Sequence, residues 1–168
     1  SKDGASGNYW GTYVFSPSAA RACVSFQAPH PLHDAMTGEQ ATYMFRQLDA
    51  QSLMVAGAHR CLNSTPSGCA GTTDACGNNV PYRISDMAHT LESVFQTTTE
   101  VLANNAPNRR FIQLHGFEKT SNDPFFIISN GTRQTPNHDF VEQLGESLET
   151  AGGWNYEAPH LDTSYNKL

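Results

Sequence analysis

Three histidines each end an apolar run of strand length, and no other pattern in the sequence is as suggestive of chemistry. His30 ends ACVSFQAPH, His59 ends SLMVAGAH and His115 ends RFIQLH. In open α/β sheets, ligands bind at the carboxyl ends of parallel strands, because the loops that follow those strands gather there. A single histidine after a strand is commonly only a loop residue bonded to a carbonyl. Three such histidines predict a shared crevice on which their imidazoles converge, whereas His138 and His160 are expected to face water.

The loop that contains His30 carries the densest set of possible metal ligands. It reads APHPLHDAMTGEQA, with His33 and Asp34 beside His30 and with Glu39 in the first turn of a predicted helix. Neutral imidazoles and a carboxylate are the usual ligands of a catalytic zinc, which keeps one position open for water. We expect either His33 or Asp34 to bind the ion with His30, and the other to support a ligand from behind.

A hydrolytic site of this kind also needs a carboxylate that moves a proton to the leaving group. The residue types leave three candidates open, which are Glu39, Glu118 and Glu157. Each has a structural alternative. For Glu39 that alternative is specific, because the helix dipole favours a carboxylate near a helix start.

Substrate binding is expected to use arginine, whose planar guanidinium grips carboxylates through two hydrogen bonds. Arg60, directly after His59, is the first candidate and Arg83 is the second. His59 and His89 complete the predicted substrate-binding set. Asp86 is expected to cap the second helix, where it would also form an i, i+3 pair with His89.

The hydropathy pattern predicts that five strands and three helices hold these residues. The strands are residues 9–15, 22–28, 52–58, 110–114 and 125–129. The helices are residues 37–50, 85–105 and 137–153. The resulting order, β-β-α-β-loop-α-β-β-α, predicts a single α/β domain over residues 1–168. Its central sheet should be mainly parallel or mixed, with helices on both faces.

Composition excludes two classes of partner. The 168 residues include 10 Lys and Arg against 16 Asp and Glu, a formal net charge of −6. A general nucleic-acid binder needs a basic surface to displace phosphate counterions, so no nucleic acid is expected as a partner. No apolar run approaches the roughly 20 residues that cross a bilayer, so no membrane partner is expected either.

Cysteine usage bears on the compartment. Three of the four cysteines lie in a loop at about residues 60–80 that is rich in Ser, Thr and Gly and too poor in apolar residues to hold its own shape. We predict a disulfide between Cys69 and Cys76, and hence a secreted, extracellular or periplasmic protein. Reduced, unreactive thiols are the alternative, because no pair has the spacing typical of structural zinc. Cys23 begins an apolar run and is predicted to be a buried free thiol.

Two short stretches resemble a known family. The residues Ala28-Pro29-His30, followed by Asp34, Thr37 and Glu39, and far downstream Leu114-His115-Gly116, are similar to motifs of the poly-γ-glutamate hydrolases. These phage and bacterial enzymes belong to the zinc carboxypeptidase-like superfamily. The order of elements is similar over about residues 9–131, although the motifs are confined to these two stretches.

The resemblance implies a compact α/β fold and one zinc ion. His30 would be the first histidine ligand, Asp34 the acidic ligand and His115 the distant histidine. The family has Glu where Asp34 aligns, and the spacing here is one residue shorter. Related carboxypeptidases use a H-x-x-E pair, and this chain has His33 in place of the Glu. A zinc site made of His30, His33 and His115 is therefore an alternative to the one with Asp34.

These inferences together predict a zinc-dependent hydrolase that cleaves peptide or γ-glutamyl-type amide bonds. Its expected substrate is peptide-like or a small polyanion, and the protein is expected to be a monomer. One alternative is a metal-dependent phosphoesterase, although two-metal sites use more carboxylates. Another is a non-catalytic extracellular domain that binds a ligand in the same crevice.

Overall fold

A four-stranded sheet is the main β-structure of the computed structural model, which describes residues 10–132, 134–137 and 139–161. The strand order across the sheet is β1-β3-β2-β6. The strands are β1 (Thr12–Phe15), β2 (Arg21–Ala28), β3 (Ala50–Val55) and β6 (Arg110–Gln113). The last four residues of β2 are fully buried, as expected for a central strand covered on both faces.

The sheet is mixed, and three of its four strands are parallel to one another. β2 pairs in parallel with β3 on one side and with β6 on the other. β1 pairs antiparallel with β3 at one edge. The carboxyl ends of β2, β3 and β6 therefore meet at one edge of the sheet, as predicted. The mixed α/β class is confirmed, and a carboxypeptidase-like fold stays a prediction.

Helices cover both faces of this sheet. One core cluster places Phe26 and Leu53 against Ala41 of α1 (Thr37–Gln47). The opposite cluster places Met54 against Phe95 of α2 (Val94–Asn105). Leu53 and Met54 are neighbours, and successive side chains in a strand point to opposite faces. This alternation is why two helices can pack on one thin sheet.

The second helix begins later than predicted. The pattern predicted a helix over residues 85–105 capped by Asp86, but α2 starts at Val94. Ser93 is its N-cap and accepts a hydrogen bond from the Gln96 N–H at 3.0 Å. Asp86 lies well before this start, in a turn where its Oδ1 accepts from the Ala88 N–H at 3.2 Å and from His30 Nε2 at 2.7 Å.

The Cys-rich loop contains a disulfide, but with a different partner from the one predicted. Cys61 pairs with Cys76, and Cys69 is free. The loop folds back through a small antiparallel pair of β4 (Thr72–Thr73) and β5 (Val80–Pro81). Cys23 is also free, but it is exposed rather than buried because it lies in the solvent-facing first half of β2.

The described residues fall into two compact units, one up to Phe117 and one from Glu118. The second unit pairs β7 (Phe126–Ile127) in parallel with β8 (Tyr156–Glu157) and includes α3 (Phe140–Gly152). The predicted strand 125–129 is thus shorter and lies in this separate small sheet. A single domain over residues 1–168 stays a prediction. Within the described ranges, no helix is both long enough and apolar enough to span a bilayer.

Candidate metal centre

His30 is the most buried histidine of the first unit, and its two ring nitrogens face different surroundings. It follows β2 directly and is 1% exposed. Its Nε2 lies 2.7 Å from Asp86 Oδ1, and since an ionised carboxylate only accepts, Nε2 donates. In the neutral ring, Nδ1 then carries the lone pair. This Nδ1 has no hydrogen-bond partner within the described part of the chain.

Two further atoms approach that lone pair. Asp34 Oδ2 lies 3.5 Å from His30 Nδ1 and 3.5 Å from His115 Nδ1. Asp34 Oδ2 is buried and, like His30 Nδ1, has no hydrogen-bond partner among the described residues. Both separations are longer than an ordinary N–H···O bond. The three side chains form a group whose ligand atoms could hold one metal ion.

Local structure around Asp34 explains how the group is assembled. The backbone turns sharply after His30, whose carbonyl accepts from the N–H groups of His33 and Asp34. Thr37, the first residue of α1, donates its hydroxyl to the Asp34 carbonyl at 2.8 Å. From the other side, Gly116 packs closely, since a Cβ there would lie 3.2 Å from Asp34 Cβ. Asp34 is therefore held between the two strand-end loops that carry the histidines.

A second carboxylate, Asp86, is hydrogen-bonded to His30 through the ring nitrogen that faces away from Asp34. Its Oδ1 accepts from His30 Nε2 and, at 3.0 Å, from His89 Nδ1. Its Oδ2 accepts from Arg60 Nε at 3.1 Å and from Arg60 Nη2 at 2.7 Å. A carboxylate on the distal nitrogen of a ligating histidine fixes the ring orientation and increases its basicity. The prediction that Asp86 caps the second helix was wrong, and its hydrogen bond to His30 Nε2 was not predicted.

The buried charges shift the pKa values of these groups. Burial raises the pKa of Asp34 and Asp86. The imidazoles of His115 and His30 outweigh this for Asp34, and those of His30 and His89 do so for Asp86. Both carboxyl pKa values lie well below their usual range. Burial lowers the pKa of His30, but Asp34 and Asp86 together raise it above its usual value. The negative field of the two carboxylates that raises the pKa of His30 would also favour a metal cation beside it.

His30, Asp86 and His89 form a second group of possible ligands. Their atoms, however, are already joined by hydrogen bonds of 2.7 Å and 3.0 Å. A metal at this position would have to replace those bonds, whereas one beside His30 Nδ1 replaces none. Because His30 Nδ1 and Asp34 Oδ2 have no hydrogen-bond partner among the described residues, the group of His30, Asp34 and His115 is the stronger candidate.

His33 and His59 form a separate pair at the same edge of the sheet. His33 Nδ1 lies 3.3 Å from His59 Nε2, and with Cys61 they make a third possible ligand group. Since Cys61 is bonded to Cys76, its sulfur is not a thiolate in this form of the protein. The predicted convergence of His30 and His115 is confirmed by their 5.0 Å ring separation, while His59 pairs with His33 instead.

The predicted substrate-binding arginines both have partners in the protein. Arg60 forms a salt bridge with Asp86. Arg83 donates to the carbonyls of Cys61 at 2.5 Å and Cys76 at 3.1 Å, so its contacts hold the Cys-rich loop together. His89 is partly exposed and stacks on Tyr82 with ring centroids 3.7 Å apart.

The three predicted catalytic glutamates lie outside these groups. Glu39 is exposed in the first turn of α1, where the helix dipole accounts for it. Glu118 and Glu157 belong to the second unit. His160, expected to face water, is instead 4% exposed and bonded to Asp139. His138 lies outside the described residues.

Comparison with protein-family models, with curated proteins and with solved structures finds no match to this chain. The resemblance to poly-γ-glutamate hydrolases therefore stays a prediction from the two short motifs. Any functional conclusion has to come from the geometry of the groups described above.

Proposed function

We propose that the protein is a zinc-dependent hydrolase that cleaves amide bonds, with His30, Asp34 and His115 as the metal ligands. The observation that carries the proposal is the convergence of two unpaired buried atoms, His30 Nδ1 and Asp34 Oδ2, with His115 Nδ1. Ligand atoms about 2.0–2.2 Å from a tetrahedral zinc lie about 3.3–3.6 Å apart. The two 3.5 Å separations fit that spacing.

The accessibility of the group supports catalysis over a purely structural ion. Structural zinc sites usually have four protein ligands, whereas catalytic sites have three and keep an open position. Here three ligands converge, and the His115 side chain is 41% exposed while His30 and Asp34 are buried. A zinc ion in such a site polarises a carbonyl and lowers the pKa of a bound water toward neutrality.

The surrounding residues have definable tasks in this proposal. Asp86 orients His30, and Arg60 compensates one of the two buried carboxylate charges. His89 donates through Nδ1 to Asp86, which leaves Nε2 of its neutral ring as a proton acceptor. His89 lies beside His30, with ring centroids 6.5 Å apart, and is partly exposed. We assign proton transfer to His89, because the candidate glutamates lie outside the described ligand groups.

The motif resemblance supports a peptide-like or γ-glutamyl amide as the substrate, and the disulfide supports a location outside the cytoplasm. A phosphoesterase is less well supported, since two-metal sites use more carboxylates than Asp34 and the fully hydrogen-bonded Asp86 provide.

The proposal is tested by metal content and amide hydrolysis on the same samples. The protein should bind one zinc and release amines from γ-glutamyl oligomers or peptides, and a chelator should abolish this activity. His115→Ala should lose both zinc and activity, whereas His89→Gln should retain zinc and lose turnover. Release of phosphate from a generic ester, or stoichiometric zinc with no hydrolysis of any amide, would contradict the proposal.

A further inference from the structure

The pair formed by His33 and His59 has no role in the proposed hydrolase centre, yet its geometry resembles that of metal ligands. His33 Nδ1 and His59 Nε2 are 3.3 Å apart, at the short end of the spacing between two ligands of one zinc. The same two nitrogens are hydrogen-bonded in the oxidised chain, so a metal ion held by both would replace that bond. Cys61 brings a sulfur within 4.8 Å of the histidine ligand atoms. Imidazoles and thiolates are both common ligands of zinc and of other thiophilic ions.

We infer that His33, His59 and Cys61 form a second metal site, which opens to a thiophilic divalent ion when the Cys61–Cys76 disulfide is reduced. In the oxidised chain the Cys61 sulfur is bonded to Cys76 and is a poor ligand. Reduction converts it to a thiol, and the thiolate derived from it completes the group. This inference does not depend on the hydrolase proposal.

The chemistry of the opening step is a thiol–disulfide exchange. A dithiol reductant gives two electrons to the Cys61–Cys76 bond and is itself oxidised to a disulfide. Its two protons end on the sulfurs of Cys61 and Cys76. The incoming metal ion then displaces the proton from Cys61 and binds the thiolate.

Arg83 keeps the Cys61 backbone in position when the sulfur bond is open. Its guanidinium donates to the carbonyls of both Cys61 and Cys76, and neither contact involves a sulfur atom. The Ser85 hydroxyl donates to the neighbouring Arg60 carbonyl at 2.8 Å. The ligand group is therefore held by polar contacts that survive reduction.

Metal binding changes the hydrogen bonds of His59. In the oxidised chain, Nδ1 of His59 accepts from the Cys61 N–H at 3.1 Å, so the proton of the neutral ring lies on Nε2 and faces His33. A metal at Nε2 moves that proton to Nδ1 and replaces both bonds. The site should consequently bind little metal while the disulfide is intact.

The test uses cobalt(II) alone, whose bond to a thiolate gives a charge-transfer absorption that nitrogen and oxygen ligands do not give. All variants are made in a Cys23→Ser, Cys69→Ser background. Adding Cys76→Ser frees Cys61 without a reductant, and the matched control Cys61→Ser breaks the same disulfide but removes the ligand. We expect the band with Cys76→Ser and its absence with Cys61→Ser. Adding His33→Ala to the Cys76→Ser chain should weaken cobalt binding by more than about tenfold, because it removes a ligand and not only a residue that supports one.

A second measurement covers the case in which these variants do not fold. The background chain, with Cys61 and Cys76 intact, is treated with a water-soluble phosphine, which takes oxygen from water and becomes the phosphine oxide as two thiols form. The cobalt–thiolate band should appear on reduction and should be lost in the same chain carrying His59→Ala. No band after reduction, or an equal band in Cys61→Ser, overturns the inference. Cobalt at His30, Asp34 and His115 adds no thiolate band, so the two sites are distinguished.

Discussion

Each unit of the molecule has a buried histidine whose Nε2 is hydrogen-bonded to a buried aspartate, and these two pairs have the same composition but different surroundings. His30 contacts Asp86 at 2.7 Å in the first unit, and His160 contacts Asp139 at 2.5 Å in the second. In both, the carboxylate accepts from Nε2 and the imidazole Nδ1 is buried without a hydrogen-bond partner in the described ranges. Burial and pairing alone therefore do not identify a functional site.

The difference lies in what surrounds the unpaired nitrogen. His30 Nδ1 faces Asp34 Oδ2, which in turn faces His115. His160 belongs to no metal-ligand group found among the described residues, and its partner Asp139 caps α3 by accepting from the N–H groups of Val141 and Glu142. The first pair belongs to a group that could hold a metal ion, whereas the aspartate of the second pair caps a helix.

The largest expected effect comes from removing each histidine in turn. His30→Ala should abolish zinc binding and lower the free energy of unfolding of the metal-free protein by about 3–5 kcal/mol, because it breaks a buried ion pair. His160→Ala should also destabilise the protein but should retain one zinc. Metal analysis and urea unfolding after chelation measure both quantities. Equal loss of zinc in both variants would remove the distinction between the two pairs.

The aspartates give the next effect. Asp86→Asn should weaken zinc affinity by about 10–100-fold, the usual cost of losing a carboxylate that supports a ligating histidine. Asp139→Asn should leave the zinc affinity unchanged, since its partner His160 is not a ligand. Competition with a chelating indicator measures the two dissociation constants. An unchanged constant in Asp86→Asn would show that His30 needs no support from Asp86.

A pH titration sharpens the interpretation of the second pair. Burial raises the pKa of Asp139, but the His160 hydrogen bond and the helix N–H groups lower it more, so its folded pKa lies below the unfolded value. Its stabilising contribution is therefore complete above about pH 4 and is lost as the pH falls through the lowered folded pKa. The difference in unfolding free energy between wild type and Asp139→Asn should shrink only in that acidic range. A difference that is constant down to pH 2 would contradict this assignment.

The smallest effect concerns the packing of Gly116 on Asp34. A Cβ at Gly116 would lie 3.2 Å from Asp34 Cβ, so Gly116→Ala should displace the carboxylate by a few tenths of an ångström. We expect zinc affinity to fall a few-fold, with stability changed by less than about 1 kcal/mol. Gly68→Ala is the matched control, because a Cβ there contacts nothing within 4 Å. Equal zinc affinities in the two variants would mean that Asp34 tolerates the shift.

The sequence predicts the positions of His30 and His115 well because both end apolar strands whose parallel pairing follows from strand–helix alternation. It predicts α1 and α3 to within a few residues because their apolar side chains recur at the spacing of one helix face. The supporting role of Asp86 is less visible, since SDMAH is an equally good helix start. Only the arrival of His30 and Arg60 from two other strand ends distinguishes a buried carboxylate from a cap.

The predicted disulfide pairing and the predicted exposure of His160 were wrong for related reasons. Short spacing favoured Cys69 with Cys76, but the β4–β5 turn brings Cys61 to Cys76 instead. His160 follows a stretch without clear periodicity, and nothing local shows that it meets Asp139, 21 residues earlier. Contacts between distant segments decided both cases, and a single sequence does not display them.

The two hydrogen bonds that Arg83 donates to the carbonyls of Cys61 and Cys76 bear on the resistance of the protein to proteolysis. An endoprotease needs an extended, detachable stretch of backbone, and the Cys-rich segment is polar and rich in glycine. Because one guanidinium binds the carbonyls at both ends of that segment, we expect the two ends to stay together when the sulfur bond alone is broken. Cleavage should require the arginine contacts to open as well, so the segment withstands a reducing environment longer than its composition implies.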